Sequence, residues 1–391
     1  MHSAILEGRG IRSGNDHTRI RHISIDMPSA GPHYFTIGES VLLEAVLPPA
    51  LNTLEARQPD RDFHAFLVKS LAELPACTTA EAVLGLAERS REWWREHAIG
   101  TLDPNYANRV REELSRHADI LKNSERHGIL LLGGTGSRLE AYTSSMNKHL
   151  LPAYDQPVCF HSLAALMMTG ARSIAVVTSP SDAALYRELL GDGSRYGIEL
   201  GYVMQSDPKG IAHAIAQVEN STTTHGVSVA LGDNVIYGLG LAQALTQSVK
   251  KNSGAQAFTC AVEDPFHFDV VDYDTHGNVA KISLKPEFPS SSQVLTGLLI
   301  YDTTITNRAS TAPRGYKGEY QLHDVHIDYL HEGSFAACPL PRTVRWFDTG
   351  RQETLFKSSL QLAIDAAGGG APISPQIVAE SFGWISKEEV A

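Results

Sequence analysis

A short apolar run near the middle of the chain leads directly into glycines and cations. Residues 129–132 (ILLL) precede GGTG at 133–136, which we call the glycine-rich loop, and Arg138 and Lys148 follow. A strand that enters such a loop can present backbone N–H groups and positive side chains to a polyphosphate. The P-loop and dinucleotide-binding glycine patterns are both absent. The segment therefore indicates a phosphate-binding site of another kind, with a plain tight turn as the alternative.

Two carboxylates lie where they could meet the same phosphates. Asp233 follows the apolar run 227–231, and Asp348 lies in RWFDTG. Mg²⁺ typically takes one or two carboxylates together with phosphate oxygens, so both residues are candidate metal ligands. Each also has a simpler interpretation. Gly-Asp-Asn is a common turn, and Asp348 could be the N-cap of the helix that carries Glu353.

The pattern after residue 127 explains how these residues could meet. Strand-like apolar runs alternate with helix-like stretches, which predicts a Rossmann-like α/β/α sandwich around a mixed, mostly parallel sheet. Ligands bind such folds at the carboxyl ends of the strands. The predicted strands are 128–132, 173–178, 199–204, 227–231, 257–261, 279–283 and 295–301, and the predicted helices between them are 160–169, 181–190, 210–219 and 241–251.

The chain before residue 126 has a different pattern. Its first part is polar, and its second part contains amphipathic helices predicted at 80–98 and 108–123, the latter with Asn108 as its N-cap. GGGAP at 368–372 is typical of a linker. We therefore predict an N-terminal extension (1–125) that is partly flexible and then mainly helical, a central domain (126–367) and a C-terminal segment (368–391).

The composition excludes several classes of protein. The formal net charge of −11 argues against a general nucleic-acid binder, so an anionic substrate would need a locally basic pocket. No apolar run reaches the ~18–20 residues of a membrane span. The N-terminus lacks the apolar core of a signal peptide, and the four cysteines form no CxxC pair. We expect a cytoplasmic homo-oligomer that binds neither nucleic acid nor membranes.

Several motifs in a fixed order make the chain resemble a known family. GGTGSRL, NKHLLPAYDQP, VMQSDPKGIAHAI, LGDNVIYG, TGLLIYD and WFDTG occur in this order over residues 129–350. The set resembles the sugar-1-phosphate nucleotidylyltransferases, most closely the glucose-1-phosphate thymidylyltransferases, over about residues 127–365. The fold of that family is of the nucleotide-diphospho-sugar transferase type. Nothing in residues 1–125 belongs to the pattern.

The resemblance implies a reaction and its nucleotide-side residues. A Mg²⁺-dependent enzyme would join a pyrimidine nucleoside triphosphate, of dTTP or UTP type, to a phosphorylated acceptor and release pyrophosphate. Arg138, Lys148 and Asp233 would be catalytic, and Asp233 and Asp348 would share the Mg²⁺. The residues implied to bind the nucleotide are Leu132, Gly133, Gly134, Gly136, Gln205 and Gly210. The choice between thymidine, uridine and cytidine nucleotides stays open.

The acceptor side departs from the family pattern. Lys285, Gly297, Lys317 and Asp269 occupy its acceptor-binding positions, but the family usually has a glutamate where Leu284 stands and a glycine where Asp269 stands. A sugar 1-phosphate is the expected acceptor, and a non-hexose phosphate or phosphonate from specialised metabolism is the alternative. Asp269 would suit an acceptor with an amine, unless its side chain faces solvent. A catalytically inactive nucleotide-binding regulatory module is the hypothesis from another class.

Overall fold

The chain folds around one large mixed sheet. The computed structural model describes residues 58–73, 79–97, 105–134, 139, 146–218, 225–251, 253–315, 318–367 and 372–386. Within these residues the main sheet has nine strands, in the order β10-β9-β11-β6-β1-β4-β5, with β8 beside β11 and β12 beside β8. Its strands are β1 (His127–Leu131), β4 (Ser173–Thr178), β5 (Glu199–Met204), β6 (Val227–Leu231), β8 (Ala255–Ala261), β9 (Val270–Tyr273), β10 (Val279–Ser283), β11 (Gln293–Tyr301) and β12 (Phe335–Pro339).

The parallel half of this sheet places three strand ends side by side. β1 pairs in parallel with β4 and β6, so that Leu131 lies opposite Val177 on one side and Leu231 on the other. β1 is buried along its whole length, as is typical of parallel strands covered on both faces, and this accounts for its continuous apolar sequence. β11 and β8 run antiparallel and complete the mixed sheet.

Helices cover both faces of the sheet. Alternate residues of β1 point to opposite sides, because side chains in a strand alternate with period two. Leu130 lies in one apolar core and Ile129 in the other. The predicted α/β/α sandwich is confirmed. The helices are α1 (Gln58–Ala72), α2 (Ala80–His97), α3 (Tyr106–Lys122), α4 (Val158–Met167), α5 (Ala183–Leu190), α6 (Ile211–Ala216), α7 (Leu241–Lys251), α8 (Ile305–Thr311), α9 (Leu322–His331), α10 (Gln352–Ala366) and α11 (Pro375–Phe382).

Two small antiparallel pairs lie outside the main sheet. β2 (Pro152–Ala153) and β3 (Gln156–Pro157) form a short hairpin. β7 (Asn234–Gly238) pairs with β13 (Val344–Asp348) over five residues, and we call this pair the ribbon. In the ribbon Asn234 lies opposite Asp348 at one end, and Gly238 lies opposite Val344 at the other.

Helices α1, α2 and α3 share the core that covers one face of the sheet. Trp94 of α2 packs against Phe63 of α1 and against Phe356 of α10, with ring centroids 4.9 and 5.5 Å apart. The helical pattern predicted before residue 126 is therefore correct for these segments. The predicted cap was wrong, because α3 begins at Tyr106 with Asn105 at the N-cap position, and Asn108 lies inside the helix.

Two further observations concern the described helices and cysteines. Among the described residues, no helix is long and apolar enough to cross a membrane. The cysteines in this part of the chain, Cys159, Cys260 and Cys338, are free thiols. Cys77 lies outside the described residues.

Candidate active site

The glycine-rich loop begins at the carboxyl end of β1. Leu132 is buried, and its N–H donates to the carbonyl of Val177 at 2.8 Å, which holds the start of the loop against β4. A side chain at Gly133 would begin 3.3 Å from Oε1 of Gln205. Gly134 has φ +116°, a conformation that favours glycine. Gly133 therefore lies close to the Gln205 amide, whereas Gly136 and Arg138 lie outside the described residues.

Gln205 follows β5 and has a fixed amide orientation. Its Nε2 donates to the carbonyl of Gly210 at 3.3 Å and lies 3.0 Å from Nδ1 of His213. A carbonyl can only accept a hydrogen bond, so the NH₂ group must point toward Gly210, and Oε1 is left to face Gly133. Gly210 itself has φ +107° and admits no side chain, because a Cβ would lie 2.5 Å from the carbonyl of Tyr320. Gln205 and Gly210, the two residues predicted to contact the base, thus lie in contact with each other.

Lys148 begins a short 3-10 turn, Lys148–Leu150, that directs its side chain toward Asp233. Asn147 caps the turn by accepting from the His149 N–H at 3.1 Å, and it donates to Asp182 at 2.9 Å. Lys148 Nζ lies 2.5 Å from Oδ2 of Asp233, and the two side chains are only 17% and 18% exposed. Burial raises the pKa of Asp233, but the charge and hydrogen bond of Lys148, together with His149 and the Asn234 amide, lower this pKa to about 2.

Asn234 organises the other side of Asp233, a role that the sequence did not reveal. Its Nδ2 donates to Asp233 Oδ1 at 2.9 Å. Its Oδ1 accepts from the Gly297 N–H at 3.0 Å and from Trp346 Nε1 at 2.7 Å. A Cβ at Gly297 would lie 2.6 Å from the Asn234 amide, so only glycine fits there. The available signal was its place directly after Asp233 in a turn between two strands.

Asp348 ends the ribbon beside Asp233. The Thr349 N–H and hydroxyl both donate to the Asp233 carbonyl, at 2.9 and 2.8 Å, and join the two segments. The Gly350 N–H donates to Asp348 Oδ1 at 2.9 Å. The N-cap interpretation of Asp348 was wrong, because α10 begins at Gln352 and Arg351 occupies its N-cap position.

The paired carboxylates fit a cation that is completed by substrate oxygens. The described residues contain no group of three or more histidine, cysteine, aspartate or glutamate side chains that could hold a metal alone. Asp233 and Asp348 supply only carboxylate oxygens, and Lys148, which contacts Asp233, lies near Gly134. Mg²⁺ is usually held by one or two carboxylates plus phosphate oxygens and water, so this donor set suits Mg²⁺ bound with a polyphosphate.

The predicted acceptor-binding residues lie along β9, β10 and β11. Lys285 is exposed just beyond β10 and has φ +39°. Asp269 precedes β9, and its carbonyl accepts from the Leu295 N–H at 2.9 Å. Its side chain is 18% exposed and lies 3.3 Å from Nδ1 of His323, so it does not project freely into solvent. Lys317 lies outside the described residues.

The acceptor-side strands are connected to the carboxylate cluster. Phe268 packs edge-on against Trp346, with ring centroids 5.3 Å apart. Trp346 donates to Asn234, which contacts both Asp233 and Gly297. Contacts through Phe268, Trp346 and Asn234 therefore link the segment before β9 to Asp233 and Gly297.

Comparisons with known proteins show the family of the chain. The family model described as "Nucleotidyl transferase" matches residues 127–364. Glucose-1-phosphate thymidylyltransferase from Neisseria gonorrhoeae is 37% identical over 67% of this chain and 92% of its own length. The enzyme of the same name from Mycolicibacterium smegmatis is 36% identical over 68% of this chain and 92% of its own length.

Solved structures show the same fold. A crystal structure from Bacillus anthracis, described as a glucose-1-phosphate thymidylyltransferase with sucrose bound, has a TM-score of 0.56 and 29% identity over 61% of this chain and 96% of its own. A UDP-glucose pyrophosphorylase in complex with UDP-glucose has a TM-score of 0.53 and 20% identity, and it supports the fold alone. The family model and the curated relatives show that this chain belongs to the nucleotidyl transferase family and is a nucleotidyltransferase.

Proposed function

We propose that this enzyme transfers a thymidylyl or uridylyl group from the triphosphate to a sugar 1-phosphate, with Mg²⁺, and releases pyrophosphate. The observation that carries the proposal is the contact of Lys148 with Asp233, beside Asp348 and the glycine-rich loop. This cluster combines one cation for phosphate with two carboxylates for a metal. The curated relatives, which are glucose-1-phosphate thymidylyltransferases, support the sugar phosphate as acceptor.

The Gln205 amide supports a base that carries an N3–H group. Its Oε1 faces Gly133 because Gly210 and His213 engage its Nε2. Thymine and uracil have a hydrogen-bond donor at N3, whereas cytosine has an acceptor there. An amide held with its oxygen toward the base would therefore bind the first two and leave cytosine facing an unfavourable acceptor pair.

Lys148 would change partners when the triphosphate binds. Without substrate, its ammonium neutralises Asp233 in a largely buried pair. Asp233 and Asp348 would hold the Mg²⁺, which would neutralise charge on the phosphates. Lys148 would then be free to contact the phosphate that is transferred or that leaves. Arg138, by its place in the sequence after the glycine-rich loop, would add a second cation.

The acceptor phosphate would attack the α-phosphorus in line, as pyrophosphate leaves from the opposite side. A phosphate dianion is already a nucleophile, so no general base is needed. Lys285 would bind this phosphate beside β10. Catalysis would rest on positioning and on charge neutralisation by groups that are held in place before the reaction.

One observation supports a second class of acceptor. Asp269, directly before β9, forms a partly buried pair with His323, and Leu284 directly follows β10, which pairs with β9. Sugar hydroxyls bound here would need hydrogen-bonding partners. A non-hexose phosphate or phosphonate would need different hydrogen-bonding partners at these residues.

A matrix of substrates tests the proposal. dTTP, UTP and CTP are each paired with glucose 1-phosphate, other sugar phosphates and small phosphonates, and pyrophosphate release is measured with and without Mg²⁺. We expect Mg²⁺-dependent release with dTTP or UTP and a sugar 1-phosphate. Strong turnover of glucose 1-phosphate would exclude the second acceptor class. Nucleotide binding without pyrophosphate release from any pair would favour the inactive regulatory module instead.

A further inference from the structure

We propose that helix α3, which precedes the family-matching residues 127–364, positions the two carboxylates by anchoring the opposite end of the ribbon through Glu113 and Tyr106. The inference rests on the proposed roles of Asp233 and Asp348. It assigns to residues outside the family match a role in the geometry of the active site. Contacts at the two ends of β7 and β13 make this role possible.

Glu113 of α3 caps the N-terminus of α7, which has no local capping side chain. The first N–H groups of a helix have no partner within the helix and are usually capped by a local serine, threonine, aspartate or asparagine. Before α7 the chain has Gly240 instead, with φ +98°. The buried Glu113 carboxylate accepts from the Gly240 N–H at 2.7 and 3.0 Å and from the Gln243 N–H at 3.4 Å. Glu113 thus fixes the chain two residues beyond the end of β7.

Tyr106 holds the adjacent end of β13. Its hydroxyl donates to the carbonyl of Thr343 at 3.0 Å, directly before β13 begins. Gly238, the last residue of β7, has no space for a side chain, because a Cβ would lie 2.9 Å from this hydroxyl and 2.5 Å from the Thr343 carbonyl. The two ends of the ribbon strands are therefore packed tightly under the first turn of α3.

Helix α3 is itself firmly attached to the core. Leu114 and Leu121 are buried in the apolar core beneath it. His117, one turn after Glu113, hydrogen-bonds to Thr246 of α7 at 3.0 Å. The helix is therefore fixed in place, and Glu113 and Tyr106 hold the end of the ribbon against it.

The ribbon connects this anchor to the site. Its five register pairs run without a break from Gly238 and Val344 at α3 to Asn234 and Asp348 at the carboxylate cluster. The middle of β7 is fixed by burial of Val235, Ile236 and Tyr237 in the apolar core, and the contacts of Glu113 and Tyr106 hold the end of the ribbon that lies under α3. Loss of the Glu113 cap should therefore loosen the ribbon and displace Asp233 and Asp348 together.

Substitution of Glu113 by glutamine tests the anchor, with Glu112→Gln as the matched control. Glutamine keeps one acceptor for the α7 N–H groups and removes the charge, whereas Glu112 is an exposed neighbour on the same helix. In the full-length protein, we expect Glu113→Gln to increase hydrogen exchange in β7 and β13. We also expect kcat to fall about tenfold, since small displacements of reacting groups are costly. KM for the triphosphate should stay near its wild-type value, because Gln205 and Gly133 extend from the main sheet.

Hydrogen exchange in the ribbon and kcat together distinguish a positioning role of Glu113 from a general effect on stability. Unchanged exchange in the ribbon, or faster exchange with unchanged kcat, would overturn the inference. If Glu113→Gln does not fold, Tyr106→Phe decides the question by the same two measurements. If the wild-type protein releases no pyrophosphate, the proposed function fails, and the exchange rates still decide whether α3 anchors the ribbon.

Discussion

The proposed nucleotide side and the proposed acceptor side of the site are built differently. On the nucleotide side Gln205, Lys148 and Asp233 each have a fixed partner, and the shortest of these contacts is 2.5 Å. On the acceptor side Lys285 is exposed just beyond a strand, and Asp269 pairs with His323 at 3.3 Å. Groups that are already held in place lose little freedom when a ligand binds. On the proposed roles, the nucleotide side is thus held ready for one ligand, whereas the acceptor side can vary.

This contrast predicts different kinetic effects on the two sides. Changes on the nucleotide side should lower kcat or alter the choice of base. Changes on the acceptor side should alter the KM of the acceptor and leave the triphosphate unaffected. Each substitution below tests one part of that division.

Asp233→Asn should have the largest effect. Asparagine preserves the size of the side chain but removes the charge that pairs with Lys148 and would bind Mg²⁺. Loss of several kcal/mol of charge stabilisation corresponds to roughly a thousandfold lower kcat. Pyrophosphate release measures the rate, and thermal unfolding checks the fold. Asp328→Asn, at an exposed position on α9, is the control. Full activity of Asp233→Asn would refute the metal assignment.

His213→Leu should have an intermediate effect that is confined to the choice of base. Without the His213 ring nitrogen, the Gln205 amide keeps only Gly210 as a fixed partner and can turn more easily. The preference for UTP over CTP should fall about tenfold, the value of roughly one hydrogen bond. Ratios of kcat/KM for the two triphosphates measure it. His331→Leu, at the exposed end of α9, is the control. An unchanged ratio would show that His213 does not orient the amide.

Asp269→Asn should have the smallest effect and act on the acceptor alone. The substitution removes a negative charge near the proposed site of an anionic phosphate and breaks the pair with His323. KM for a sugar 1-phosphate should fall by up to about fivefold, because partly exposed charges contribute up to about 1 kcal/mol. Steady-state kinetics with both substrates varied measures this, with Asp328→Asn again as the reference. A change in the KM of the triphosphate alone would contradict the division into two sides.

Seven of the nine strands described in the main sheet were predicted, whereas β9, β12 and the ribbon were missed. Strands 173–178, 199–204, 227–231 and 279–283 have the predicted bounds, because buried strands need continuous apolar or alternating sequence. β7 and β13 were missed, since their pairing depends on partners more than a hundred residues apart in the chain. Asn234 was missed for the same reason, as its contacts to Gly297 and Trp346 are tertiary.

The two N-cap assignments made from local sequence were wrong. Asn108 and Asp348 are residue types that favour N-cap positions, and each was a plausible cap. The structure places Asn108 inside α3 and Asp348 at the end of a strand. In both cases packing against distant segments decided where the element begins. The same long-range packing places Glu113 against α7, which no local pattern in α3 indicates.

The fate of the α-phosphate tests the central claim most directly. dTTP or UTP labelled at the α-phosphate is incubated with glucose 1-phosphate, Mg²⁺ and the wild-type protein, and the products are separated. We expect the label to appear in a nucleotide sugar and the released pyrophosphate to be unlabelled. Label recovered only in free nucleoside monophosphate or in unreacted triphosphate would contradict it.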